Sequence, residues 1–227
     1  MAGAVVETRG LVKTFGVTPV LRDVTFQIHH GCGVLLVGGN GSGKSTLLRI
    51  LAGLSQPTSG DAMVFGENSR GLGLARRRIG MLTHQSWLYP NLTARENLEF
   101  YAELYGVADR TALAVKWIDA VGLGAAANER VCDFSRGMEQ RLSIARAMMM
   151  TPDLLLLDEP FTALDPDGVA LVGDLIRAAL ARGCAALVTA HSQLDFGVEI
   201  DRYQIVNGRV LPIRDEARAP HRNRMGA

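Results

Sequence analysis

The chain offers little to the forces that draw a protein onto a charged polymer or into a bilayer. Its 24 Lys and Arg nearly offset 23 Asp and Glu, a formal net charge of +1 over 227 residues. It therefore has no global positive field of the kind that binds nucleic acid or anionic lipid. No apolar run approaches the roughly 20 residues that a membrane helix needs, and Met1 to Thr8 lacks the basic start and apolar stretch of a secretory signal. Cys32, Cys132 and Cys184 are odd in number, far apart and without metal-ligand spacing. That argues against a disulfide framework or a zinc site and for reduced thiols in a cytosolic protein. Internal repeats and low-complexity linkers are also missing. What is present is the composition of a packed domain, 48% apolar and 21% charged, enough to bury a full core in one catalytic unit.

Periodicity then divides the chain. Leu11, Val12, Val20, Leu21, Val24, Phe26 and Ile28 alternate with polar residues up to a turn at His29-His30-Gly31, which predicts short, half-buried antiparallel strands. Gly33 to Val37 is a compact apolar strand, followed by a glycine-rich loop and a helix from Ser45 that stops at Gly53. A turn at Gln56 to Gly60 precedes a short strand at Met63 to Phe65, a loop with Gly66, Gly71 and Gly73, and a strand at Ile79 to Thr83. Thr93-Ala94-Arg95-Glu96 is a capping box opening a helix that Gly106 closes; Asp109 opens a second, and a third runs from about Gly137 to Met150. An all-apolar strand at Leu154 to Leu157, a helix through Val169 to Leu180 and a strand at Ala185 to Thr189 follow. Strands joined by helical crossovers imply a mainly parallel sheet. Asn207-Gly208 marks a hairpin, and the arginine-rich end after Pro212 reads as a solvated tail.

The glycine-rich loop carries chemistry. Gly38, Gly39, Asn40, Gly41, Ser42, Gly43, Lys44, Ser45 and Thr46 fit G-x-x-x-x-G-K-[ST], between a strand and a helix as that pattern requires. Glycines let backbone N–H groups converge on phosphate oxygens, the helix N-terminus adds a favourable dipole, and Lys44 brings positive charge to the outer phosphates. Ser45 offers a hydroxyl to Mg2+. A merely structural glycine turn leaves this placement unexplained.

Leu154 to Leu157 ends in Asp158 and Glu159, and Pro160 stops the strand. Asp158 is placed to hold Mg2+ through water, whereas Glu159 can orient and polarise an attacking water. Taken alone the pair could be a solvated acidic turn; beside a phosphate loop it reads as a hydrolytic site.

With these motifs in order, the sequence resembles the ATP-binding cassette family over most of its length. The resemblance implies an α/β fold with a P-loop NTPase core, a mainly parallel sheet, an N-terminal antiparallel β region and an inserted α-helical subdomain. The expected division is a core with its β region at 1–84 and 151–213, a helical subdomain at 85–150 and a tail at 214–227. Gln85 matches the family's glutamine loop, which implies a reach to Mg2+ and water and a sensing role toward a membrane partner. Phe134-Ser135-Arg136-Gly137-Met138 matches the signature L-S-G-G-Q, with Phe, Arg136 and Met138 as departures. Ser135 can cap a helix there and Gly137 exposes its N–H. The resemblance implies that these two serve the nucleotide of a partner chain in a head-to-tail dimer. Asp165 in Ala163-Leu164-Asp165 matches the family's aspartate loop, and His191 the histidine that contacts the γ-phosphate. Phe15 occupies the position whose aromatic ring stacks on adenine in the family, while a packed strand residue is its plainer reading.

The expected function is an ATP-binding and ATP-hydrolysing subunit, with ATP and Mg2+ as cofactors, that powers a membrane transporter of exporter type. Its expected partners are integral membrane subunits and a second ATP-binding subunit, in a homodimer or heterodimer, with no nucleic acid. Its expected place is cytoplasmic, peripheral on the inner face of the membrane. A ribosome-acting cassette protein usually carries two cassettes and a linker, and a chromosome ATPase needs long heptad arms; neither feature is here. The run from Trp87 to Leu98, with Phe100-Tyr101, Leu104-Tyr105-Gly106 and Phe134-Ser135-Arg136-Gly137-Met138, resembles the ATP-binding subunit of cytochrome c maturation haem exporters. Multidrug-type exporters share much of it.

Overall fold

A computed structural model describes residues 3–193 and 195–213. The expected tail at 214–227 lies outside the described residues. Two sheets result. The first contains β1 (Val6–Phe15), β2 (Thr18–Ile28), β4 (Ser59–Val64) and the two-residue β5 (Glu67–Asn68), in the order β2-β1-β4-β5. The second contains β3 (Gly33–Val37), β6 (Ile79–Leu82), β7 (Leu154–Leu157), β8 (Ala185–Ala190), β9 (Asp201–Val206) and β10 (Arg209–Pro212), in the order β10-β9-β3-β8-β7-β6. The helices are α1 (Lys44–Leu51), α2 (Ala94–Leu104), α3 (Arg110–Ala120), α4 (Arg136–Met148) and α5 (Pro166–Ala181).

In the second sheet every pairing is parallel except β9 with β10. That hairpin turns at Asn207 and Gly208, both with positive φ of 50° and 78°, the requirement of the tight turn that Asn-Gly favours. β3 and β7 are buried along their whole length, because each side of the sheet is covered. Alternation divides the side chains of β3, β7 and β8: Leu35, Val37, Leu155, Leu157, Ala186 and Val188 join the core formed with α2 to α5. Val34, Leu36, Leu154, Leu156, Ala185 and Leu187 join the core shared with α1 and the first sheet. A strand covered on both faces must be apolar at every position, which is why these segments read as unbroken hydrophobic runs.

The N-terminal strands differ from expectation. They span 10 and 11 residues, not the short pieces that alternation predicted. Their register shifts between Thr8 and Leu11 and again to Lys13 and Thr14, around Gly10 at φ 55°. Such bulges break the two-residue period while the ladder continues. The segment after β4, read as a loop, contains β5 and 3-10 turns at Ser69–Gly71 and Gly73–Arg78. The capping box is present: Thr93 Oγ1 accepts from Glu96 N at 3.2 Å, and Thr93 N donates to Glu96 Oε2 at 2.8 Å.

Candidate active site

Parallel pairing sets the geometry of the site. β3, β8 and β7 are neighbours, with Val37 opposite Ala190 and Leu157 opposite Val188. Their carboxyl ends therefore lie along one edge, where α/β sheets bind ligands. The loop after β3 carries residues 38–43, β7 runs into Asp158 and Glu159, and β8 into His191. Residues about 150 positions apart in sequence meet through strand order alone.

The phosphate-loop residues lie together. Gly38 N donates to Ala190 O at 3.2 Å, tying the loop to β8. A Cβ on Gly38 would sit 2.5 Å from Ile205 Cγ2 and 2.8 Å from Ser42 Oγ, so no larger residue fits. Gly43, at φ 109°, precedes α1, and no side chain caps that helix; its first-turn N–H groups stay available for an anion. Gly39, Asn40, Gly41 and Ser45 are exposed on this loop and helix start, and Thr46 is half-buried. Ser42 Oγ is buried without a hydrogen-bond partner among the described residues.

Lys44 is nearly buried, and its ammonium donates to Gly38 O at 2.6 Å and Gly39 O at 3.1 Å. It also lies 3.5 Å from Glu159 Oε1. The other oxygen, Glu159 Oε2, lies 2.7 Å from His191 Nε2. Three residues named from separate motifs thus form one cluster, with the carboxylate at its centre. Asp158, buried at 6% exposure, accepts through Oδ1 from Thr189 Oγ1 at 2.7 Å, and Thr189 Oγ1 accepts from Glu159 N at 3.0 Å. One hydroxyl therefore fixes both acids. Glu159 takes φ 51°, a left-handed conformation unusual for a residue with a side chain.

Gln85 is exposed, and its backbone is fixed by Thr83: Gln85 N donates to Thr83 Oγ1 at 3.3 Å, and Thr83 Oγ1 donates to Gln85 O at 2.8 Å. Among the described residues no hydrogen bond or ion pair joins its side chain to the cluster. Phe15 ends β1 at 54% exposure, with Lys13 Nζ 4.8 Å from its ring centre. The ring presents a face to solvent and is not a packed core residue.

Ser135 and Gly137 belong to a second surface. Ser135 caps α4, its Oγ accepting from Met138 N at 3.2 Å. With Gly137, Met138, Arg141, Ala163 and Asp165 it lines a cavity of about 470 Å3. Arg141 Nη2 lies 2.9 Å from Asp165 Oδ1. The Gly168 N–H, and then the Arg141 guanidinium, hold the Asp165 carboxyl below its ordinary range. Arg136, the departure from the signature, is the exposed first residue of α4.

Sequence reasoning missed Thr189, Gln140 and Arg141. Thr189 had a faint signal, since it is the one polar residue in the strand Ala185–Ala190. Gln140 and Arg141 sit on a charged helix face where nothing distinguishes them from solvated residues.

The family model for ABC transporters matches residues 21–162. The chain is 38% identical over 189 residues to the Nod factor export ATP-binding protein I of Rhizobium johnstonii, covering 82% of this chain and 61% of that protein. It is 35% identical over 210 residues to the bacitracin transport ATP-binding protein of Bacillus licheniformis, covering 91% and 68%. It thus spans less than two thirds of the length of the Nod factor export relatives. Among solved structures it resembles an ATP-binding subunit of an ABC transporter, with TM-score 0.79 and 28% identity over 91% of this chain and 88% of that one. It also resembles a dimeric ATP-binding cassette in a post-hydrolysis state with ADP and Pi, with TM-score 0.81 and 27% identity over 92% and 99%. A family match over more than half of the sequence, joined to a phosphate loop, an acid pair and a histidine at one sheet edge, leaves one assignment: the chain belongs to the ABC transporter family.

Proposed function

We propose that the chain binds and hydrolyses ATP and so powers a membrane transporter of exporter type. The observation that carries this reading is the convergence of Lys44 and His191 on the two oxygens of Glu159, at 3.5 and 2.7 Å. Open N–H groups at the start of α1 and the buried Ser42 hydroxyl are donors for phosphate oxygens. Lys44, held by two loop carbonyls, exchanges them for the outer phosphates when nucleotide enters. Glu159 then accepts a hydrogen bond from water and directs it at phosphorus, while His191 fixes the carboxylate's orientation. The rate enhancement comes from positioned charge, with no covalent intermediate.

Ser45, Gln85 and Asp158 would hold Mg2+. All three offer hard oxygen donors, which suit an ion that keeps water and substrate phosphates in its shell. Mg2+ supplies charge neutralisation on the phosphoryl oxygens.

Ser135, Gly137 and Asp165 form the surface that receives a partner's nucleotide, in a homodimer or heterodimer of ATP-binding subunits. A dimeric cassette among the similar structures supports this arrangement. Among the described residues no helix is long and apolar enough to cross a membrane. Attachment is through integral membrane subunits, peripheral on the inner face, with 85–150 as the segment that passes motion to them. Relatives named for Nod factor export and bacitracin transport support the exporter reading. The haem-exporter type rests on the run from Trp87 to Gly106 and on Phe134 to Met138.

Chromatography of Glu159→Gln tests the shared site. With ATP, but not ADP, its apparent mass doubles; a variant that binds ATP and stays monomeric, alone and with its membrane subunits, contradicts the reading.

A further inference from the structure

The peptide of Glu159 is held from two directions. Its N–H donates to Thr189 of β8, inside the sheet, at 3.0 Å. Its carbonyl accepts from Gln140 Nε2 at 3.3 Å, and the same nitrogen donates to Pro160 O at 2.9 Å. Two carbonyls can be satisfied only by the amide nitrogen, which has two hydrogens to give. Gln140 lies on the second turn of α4, the helix that Ser135 caps. Around it the helix and the loop after Glu159 touch twice more. Arg141 pairs with Asp165 at 2.9 Å, and Gly137 approaches Ala163 so closely that a Cβ would lie 3.0 Å from its carbonyl oxygen. Glu159 and Ala163 both have left-handed backbones, at φ 51° and 64°. A non-glycine residue leaves that conformation unless its surroundings hold it there.

We propose that Gln140 is a positioning residue for Glu159, tying its left-handed peptide to the helix capped by Ser135, so that engagement of that helix's N-terminus by a partner's nucleotide sets the reach of the Glu159 carboxylate. This rests on the hydrolytic reading of Glu159. Gln140 acts through the Glu159 and Pro160 carbonyls. The clamp runs from Ser135 along one turn of helix to the acid, within one chain, and so links two nucleotide-facing surfaces of the same subunit.

Gln140→Met keeps the length of the side chain and removes both hydrogen bonds. Its kcat falls about tenfold, the equivalent of about 1.4 kcal/mol on the barrier, while KM for ATP changes less than about twofold. Placed on Glu159→Gln, the substitution causes no further loss of turnover, because the group it positions is already gone. Gln140→Glu presents a carboxylate to two carbonyls, so its activity relative to wild type rises as pH is lowered from about 8 to about 6 and a donor hydrogen returns. Independently of turnover, hydrogen exchange at the Glu159 and Thr162 amides speeds up in Gln140→Met while the α1 amides keep their protection. Wild-type turnover, measured alongside, tests the hydrolytic reading separately. The clamp is overturned if exchange at those amides is unchanged in Gln140→Met. It is equally overturned if that variant keeps wild-type kcat, or if its loss adds in full on Glu159→Gln.

Discussion

Replacing Thr189 by valine removes one hydroxyl and changes almost no volume, yet it disturbs both acids of the site. The side chain is fully buried; it donates to Asp158 Oδ1 at 2.7 Å and accepts from Glu159 N at 3.0 Å. Losing a hydrogen bond to a charged acceptor costs about 1.5–3 kcal/mol, and leaving a part-buried N–H without an acceptor costs about 1–3 kcal/mol. The added methyl group returns about 0.8 kcal/mol by apolar burial. A net loss of about 3 kcal/mol lowers the melting temperature of a chain this size by about 6–12 °C. Scanning calorimetry of wild type, Thr189→Val and Thr189→Ser measures it, and the serine variant, which keeps the hydroxyl, should recover most of the loss. Because Asp158 loses the donor that orients it, Thr189→Val should also need more Mg2+ for half-maximal turnover. A valine variant melting within about 2 °C of wild type, with unchanged Mg2+ dependence, would refute the claim that this hydroxyl fixes the acid pair.

Other expectations follow from particular contacts. Gly38→Ala places a methyl 2.5 Å from Ile205 Cγ2 and 2.8 Å from Ser42 Oγ; overpacking of this kind costs about 1–3 kcal/mol. ATP affinity measured by titration calorimetry should fall with stability, and wild-type affinity would contradict the fit. Burial pushes the Cys184 thiol from its usual 9.0 up to about 12. The folded chain then binds more protons than the unfolded chain between those values, so stability falls as pH rises from about 9 to about 12. Denaturant unfolding across that range, compared with Cys184→Ala, reads this contribution, which the alanine variant should lack.

The sequence disclosed elements whose cause is local. Gly33–Val37 and Leu154–Leu157 are buried on both faces, so their unbroken apolar runs gave their bounds directly. Asn207-Gly208 and the Thr93 to Glu96 box are short-range signals, and both formed where expected. Features fixed by distant partners were hidden. The extent of β1 and β2 was obscured by bulges that change which face each residue meets. Within the site, the phosphate loop, Asp158 and Glu159 stood out because their spacing is local. His191 stood out through motif order, although its meeting with Glu159 depends on β8 lying between β3 and β7. Thr189 and Gln140 reach Glu159 across 30 and 19 residues, and no periodicity records such a contact.

The most direct measurement is phosphate release from Mg2+-ATP by wild type and by Glu159→Gln at equal occupancy of nucleotide, in the presence of the membrane subunits. The account expects Mg2+-dependent turnover in wild type and a fall of about a hundredfold or more in the variant, as for loss of a positioned base, with ATP affinity retained. Equal turnover in the two proteins would contradict it, because the carboxylate that Lys44 and His191 hold would then have no part in the reaction.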